Sequence, residues 1–148
     1  MAWSNTKRSV LVPFDFTDAC LRAVHVARSF VEDDGSIVVL HVVKPPPPNS
    51  PGVLWGTTTP ESVQEASYAS LVAVLEDAHI AAKPVTRIGD PGETIIEYAD
   101  REGMEFVILP SHGRTGFSRI LMGSVAERVV RYATVPVLVL REQAPVKS

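Results

Sequence analysis

The residues best placed to do chemistry lie in one run, Ser111 to Val130, which reads SHGRTGFSRILMGSVAERVV. It follows an apolar stretch, Glu105 to Leu109, and leads into an amphipathic segment that opens at Ser124 and Val125. Gly113 and Gly123 enclose nine residues. Glycine lets backbone N–H groups turn toward an anion, and a helix N-terminus adds partial positive charge at the same place. Strand, glycine loop and helix start, in that order, predict a phosphate cradle built mainly from main chain. His112 sits inside the cradle, where its amide is expected to matter more than its ring. Arg114 is the best-placed cation for phosphate charge. No acid–base or nucleophile–base pair stands at a productive spacing, so binding is expected rather than catalysis.

Composition narrows the function classes. With 148 residues, 45% apolar and 21% charged, the chain suits one ordinary globular domain, residues 1–148. A net charge of −3 argues against a nucleic-acid surface, and no run approaches the ~18 apolar residues of a membrane span. The opening MAWSNTKRSVLV lacks a signal-peptide apolar stretch, so a cytoplasmic location is expected. Cys20 is the one cysteine, which excludes an internal disulfide and a cysteine-based zinc site. It falls on the core face of the first helix, as inert packing.

The elements that must hold the cradle follow from periodicity. Strands are expected at Arg8–Phe14, Ile37–Val43, Pro84–Ile88, Glu105–Leu109 and Val135–Leu140. The first helix starts at Thr17 or Asp18, carries Ala19, Ala23, Val24, Ala27, Phe30 and Val31 on its apolar face, and ends at Gly35. A second runs from Glu61 to Ala82 with Tyr68, Leu71, Val72, Leu75, Ala78 and His79 as its stripe. Asp90-Pro91-Gly92-Glu93 opens a third, which Gly103 ends. The last runs from Ser124 to Tyr132. Between the second strand and second helix, Lys44 to Pro60 holds six prolines in seventeen residues and is expected to form no regular element. Residues 142–148 are expected to be a loose tail.

Strands alternating with helices call for an α/β domain: a five-stranded, doubly wound parallel sheet with helices on both faces. With the order 3-2-1-4-5, the ligand crevice opens where strands one and four diverge. Pro13-Phe14-Asp15 ends strand one, so Asp15 stands opposite the cradle.

These segments together resemble the universal stress protein family. PFDFTDACLRAV, LHVV, GDPGETIIEYA and SHGRTGFSRILMGSVAERVVRYATVPVLVLR carry the likeness. The resemblance implies a flavodoxin-like domain and, in one branch, ATP binding through a glycine, two residues, a glycine, nine residues, a glycine and a Ser or Thr. Here the last three positions fall on Gly113, Gly123 and Ser124, while the first falls on Pro110, a departure. Proline offers no N–H, and a lost charge-assisted contact costs ~1.5–3 kcal/mol. By the same resemblance, ATP or AMP would set its phosphates on the amides of His112, Gly113, Ser124 and Val125 and on the Ser124 hydroxyl. Ser111 and Pro110 complete that wall, and any Mg would be held by the phosphates. Adenosine would lie near Pro13, Asp15 and the backbone of Val42.

Read without the resemblance, Asp15 is a turn carboxylate and Val42 a strand residue. The alternative function is a stress protein that binds no nucleotide and acts through protein contacts, and hydrolysis of ATP is expected to be slow at most. A P-loop would need a lysine after the glycines, a phosphorylated receiver an acidic cluster at strands one and three, and an FMN site a Ser/Thr-rich loop after strand one. None is present. The last strand, VPVLVL, is an apolar edge that a second copy would cover, giving a homodimer through Val135–Leu140 with Val137 and Val139 in contact.

Overall fold

Val10, Leu11 and Val12 are all fully buried, so the first strand is sealed on both faces, as a central strand of a parallel sheet must be. A computed structural model of the chain describes residues 8–31, 36–112 and 122–141. Its strands are β1 (Ser9–Pro13), β2 (Ser36–Val43), β3 (Lys83–Ile88), β4 (Phe106–Pro110) and β5 (Val137–Leu140). They form one parallel sheet in the order β3-β2-β1-β4-β5. The α/β class, the strand order and the five parallel strands are those expected from sequence.

Four helices of two turns or more cover the sheet: α1 (Asp18–Phe30), α3 (Pro60–Asp77), α4 (Pro91–Arg101) and α5 (Ser124–Tyr132). Even-numbered β1 residues Val10 and Val12 pack with Ala23, Val24 and Ala27 of α1 and with Leu71 and Leu75 of α3. On the other face Leu11, Val38 and Leu40 pack with Ile95 and Ala99 of α4 and Ala126 and Val129 of α5. Full burial of such a side chain is worth about 1.5–3 kcal/mol, so these contacts fix each helix to its face.

The chain marks its own helix ends. The Thr17 hydroxyl accepts from the Cys20 amide, the Thr59 hydroxyl from Ser62, and the Asp90 carboxylate from Glu93. Gly103, at φ 62°, ends α4, with the Met104 amide donating to the Ala99 carbonyl. The same motif ends α3 with a histidine in the glycine position. His79 has φ 54°, its amide donates to Glu76, and that of Ile80 to Leu75.

Several sequence expectations need correction. The second long helix stops at Asp77, not Ala82, because the left-handed turn at His79 ends it. His79 is therefore no stripe residue, and Tyr68 is 45% exposed; Leu71 and Leu75 alone are buried on α3. The first helix ends at Phe30, with Val31 as its cap, before Gly35, which lies outside the described residues. Phe30 is mostly on the surface but keeps an edge contact with Phe106. The Pro-rich segment holds one turn of helix, α2 (Pro51–Leu54), because Pro51 takes the first helical position, where no N–H is needed. Strand β5 begins at Val137 rather than Val135, yet the Pro136 carbonyl still accepts from the Val107 amide at 2.9 Å. Among the described residues, no helix is long and apolar enough to cross a membrane.

Candidate functional site

The two central strands part at their carboxyl ends. β1 and β4 are in register at Val10–Phe106 and Leu11–Val107, whereas β1 stays paired with β2 as far as Pro13–Leu40. Prolines help to open the gap. Ser111 donates its amide to the Leu140 carbonyl of β5 at 2.8 Å. Successive N–H groups leave opposite edges of a strand, so the Pro110 nitrogen faces β1. The N–H that proline lacks is therefore missing on the crevice side, at no cost to the ladder with β5.

Asp15 stands just beyond β1. Its Oδ1 accepts from the Thr17 amide at 3.1 Å, from the Thr17 hydroxyl at 2.6 Å and from the Cys20 thiol at 3.0 Å. Phe16, between Asp15 and Thr17, has φ 66°, a costly conformation for an aromatic residue. That left-handed step brings Thr17 back onto the carboxylate. Phe16 also lies edge-on to Phe14 and to His41. The His41 Nδ1 donates to the Phe14 carbonyl at 2.8 Å, which ties β2 to the same turn. Burial, and then the hydrogen bond to Asp15, push the Cys20 thiol from 9.0 up to about 12.

Val42, near the end of β2, pairs with Arg87 of β3 and leans toward the α4–α5 side of the sheet. Pro13 and Pro110 are buried at their strand ends. Across the crevice, the Gly123 amide donates to the Ser111 carbonyl at 2.6 Å, and Ser111 is 3% exposed. Strand β4 is thereby clipped to the start of α5. Gly123 is the N-cap of α5 and brings no side chain to it, whereas α1, α3 and α4 each have a side-chain cap. Ser124 and Val125 form the exposed first turn of α5. The Nδ1 of His112 is buried, with no hydrogen-bond partner among the described residues. Gly113 and Arg114 lie outside the described residues.

Pro13, Asp15, Pro110, Ser111, His112, Gly123, Ser124 and Val125 thus stand at the carboxyl ends of two neighbouring strands and the helix start that follows β4, with Val42 one strand away. An open groove of ≈ 420 Å³ lies beside them, between Phe16 and the Val63, Ala66 and Ser67 side of α3. It includes none of the residues expected from sequence.

The sequence profile of the universal stress protein family matches residues 7–141. The chain belongs to the universal stress protein family. Universal stress protein MJ0577 of Methanocaldococcus jannaschii is 39% identical over 69 residues, 47% of this chain and 43% of that protein. MJ0531 of the same organism is 28% identical over 144 residues, covering 93% of this chain and 84% of the relative. A solved structure of MJ0577 superposes with a TM-score of 0.74 at 25% identity, over 92% of this chain and 96% of that one. Two more distant family members share the fold. One, in complex with cAMP, has a TM-score of 0.65 at 20% identity over 91% of this chain and 97% of its own. The other, from Arabidopsis thaliana with AMP bound, has a TM-score of 0.60 at 18% identity over 95% and 97%.

Sequence reasoning missed the turn that serves Asp15. Thr17 was legible as a helix cap, but its second bond, to Asp15, depends on the left-handed φ of Phe16, which no sequence pattern announced. Cys20 was legible as a core residue. Its five-residue offset from Asp15 was the available signal for the thiol–carboxylate contact.

Proposed function

We propose that this universal stress protein is a small adenine-nucleotide-binding regulatory protein of the stress response, with ATP or AMP as ligand. The observation that carries the reading is the α5 N-terminus. Among the described residues its first turn has no side-chain cap, and Gly123 clips it to the end of β4, the strand next to β1 and Asp15. An anion there gains uncapped amides and the helix dipole together.

In this reading the phosphates rest on the amides of His112, Gly113, Ser124 and Val125 and on the Ser124 hydroxyl, with Arg114 as counter-charge. Asp15 takes the ribose, and Pro13 and the Val42 backbone border the base. The buried Nδ1 of His112, without a partner among the described residues, gives a ligand oxygen or hydroxyl a further partner. Relatives with bound AMP and cAMP support the adenine assignment. Mg, when present, is held by the phosphates. Its setting is the cytoplasm, as a homodimer joined through β5. At a free nucleotide concentration a hundredfold above Kd, a thermal-shift assay with ATP, ADP and AMP should register about 2.7 kcal/mol of stabilisation. No shift at millimolar nucleotide would refute the assignment.

A second reading rests on Pro110. Its missing N–H faces the crevice, which favours a stress protein that has lost its nucleotide and acts through protein contacts. Flat thermal-shift curves for every adenine nucleotide would select it.

A further inference from the structure

Among the described residues, three donors converge on a single carboxylate oxygen at the end of β1. The Asp15 Oδ1 accepts from the Thr17 amide at 3.1 Å, the Thr17 hydroxyl at 2.6 Å and the Cys20 thiol at 3.0 Å. The Thr17 hydroxyl also accepts from the Cys20 amide at 3.3 Å, so one short network joins the helix cap, the thiol and the carboxylate. Donors fixed on the backbone and on a buried helix position stop the carboxylate turning about its Cβ–Cγ bond. Cys20 is 3% exposed on the first turn of α1, so its Sγ cannot swing away to solvent.

We infer that Cys20 is a positioning residue: with Thr17, it holds the Asp15 carboxylate in the one orientation that receives the hydroxyls of a ribose. This inference rests on the nucleotide reading above. The thiol keeps its proton throughout the physiological range, because burial and the neighbouring carboxylate raise it to about 12. It therefore donates a hydrogen bond and does not act as a nucleophile. What marks this corner is the convergence on Oδ1, in which the thiol is the member whose removal leaves the helix cap in place. Pre-orientation of this kind spares the ligand the cost of ordering the side chain on binding.

The ligand feature read by a fixed carboxylate is the ribose diol. The test compares AMP with 2′,3′-dideoxy-AMP by calorimetric titration of the wild-type chain, Cys20→Ala and Cys20→Ser. Wild type should prefer AMP by about tenfold, the scale of one hydrogen bond to a charged group. Cys20→Ala should lose most of that preference by weakening AMP alone, with dideoxy-AMP unchanged within about twofold. Cys20→Ser, which restores a donor, should recover it. A merely structural thiol would weaken both ligands equally or neither, and either result overturns the inference. The wild-type chain supplies a second readout independent of variant folding. Because it has a single cysteine, its S–H infrared band reports Cys20 alone. That band should shift with AMP and stay still with dideoxy-AMP; equal behaviour with the two would count against the role. If wild type binds neither nucleotide, the nucleotide reading fails and takes this inference with it. If wild type shows the AMP preference and Cys20→Ala keeps it whole, this inference alone fails.

Discussion

Gly123 donates its amide to the carbonyl of Ser111 across 2.6 Å, which sets the start of α5 against the end of β4. That bond holds the first turn of α5 against the end of the sheet. Ser124, the first residue of that turn, is exposed, and its N-cap, Gly123, has no side chain to cap the helix. Replacing Ser124 by Ala should weaken ATP and AMP by about tenfold, a hydrogen bond to a charged group, and leave adenosine unaffected. Equal losses for nucleotide and nucleoside in calorimetry would remove the hydroxyl from the phosphate site.

Pro110 offers a change in the opposite direction. Its nitrogen faces β1, so Pro110→Gly restores an N–H on the crevice side and leaves the β5 ladder as it is. Nucleotide affinity should rise by about one to two decades, the equivalent of ~1.5–3 kcal/mol. The glycine should also cost roughly 0.5–1 kcal/mol of stability from added chain entropy, seen in urea unfolding. Unchanged affinity would show that proline is no impediment.

The Cys20 thiol makes stability depend on alkaline pH. Its folded pKa of about 12 exceeds the ordinary 9.0, because burial and Asp15 oppose the thiolate. Below pH 9 both states keep the proton and the contribution is fully present. Between 9 and 12 the unfolded chain loses the proton first, so folding stability falls, by up to about 1.4 kcal/mol per pH unit. Tyr98, also raised, chiefly by burial, adds to the decline. Urea unfolding at pH 8 and 10.5 should therefore show a steeper loss for wild type than for Cys20→Ser, which retains Tyr98. Parallel losses would place the effect elsewhere.

The edge strand β5 bears on assembly. Among the described residues it pairs with β4 alone, and Leu138 is 37% exposed on the face away from Val137 and Val139, which lean on the α4–α5 core. In the proposed homodimer this edge meets its own copy, so light scattering should report about twice the chain mass of 16.1 kDa. A charge at Leu138 disturbs the core less than one at Val137 or Val139. Leu138→Lys should give a folded monomer. A wild-type monomer at micromolar concentration would remove the dimer from the account.

Much of this architecture was legible in the sequence for local physical reasons. Continuous apolar runs such as Val10–Val12 announced a central parallel strand, and Asp90-Pro91 announced a helix start that the Asp90–Glu93 cap realises. Gly103 marked a left-handed turn because only glycine adopts it freely; His79, in the same conformation, carried no such mark and the helix before it was read five residues too long. The site divides the same way. Gly123 and Ser124 were visible as loop and cap chemistry. The donors on Asp15 and the direction of the Pro110 nitrogen depend on backbone geometry and pairing across strands, which a one-dimensional pattern does not contain.

Calorimetric titration of the intact chain with AMP and with ATP tests the central claim most directly. The expected result is saturable binding of one nucleotide per chain, weakened for both ligands by Asp15→Ala, which removes the ribose contact. Absence of binding heat for both nucleotides at millimolar concentration would contradict the assignment of the crevice between β1 and β4 as a nucleotide site.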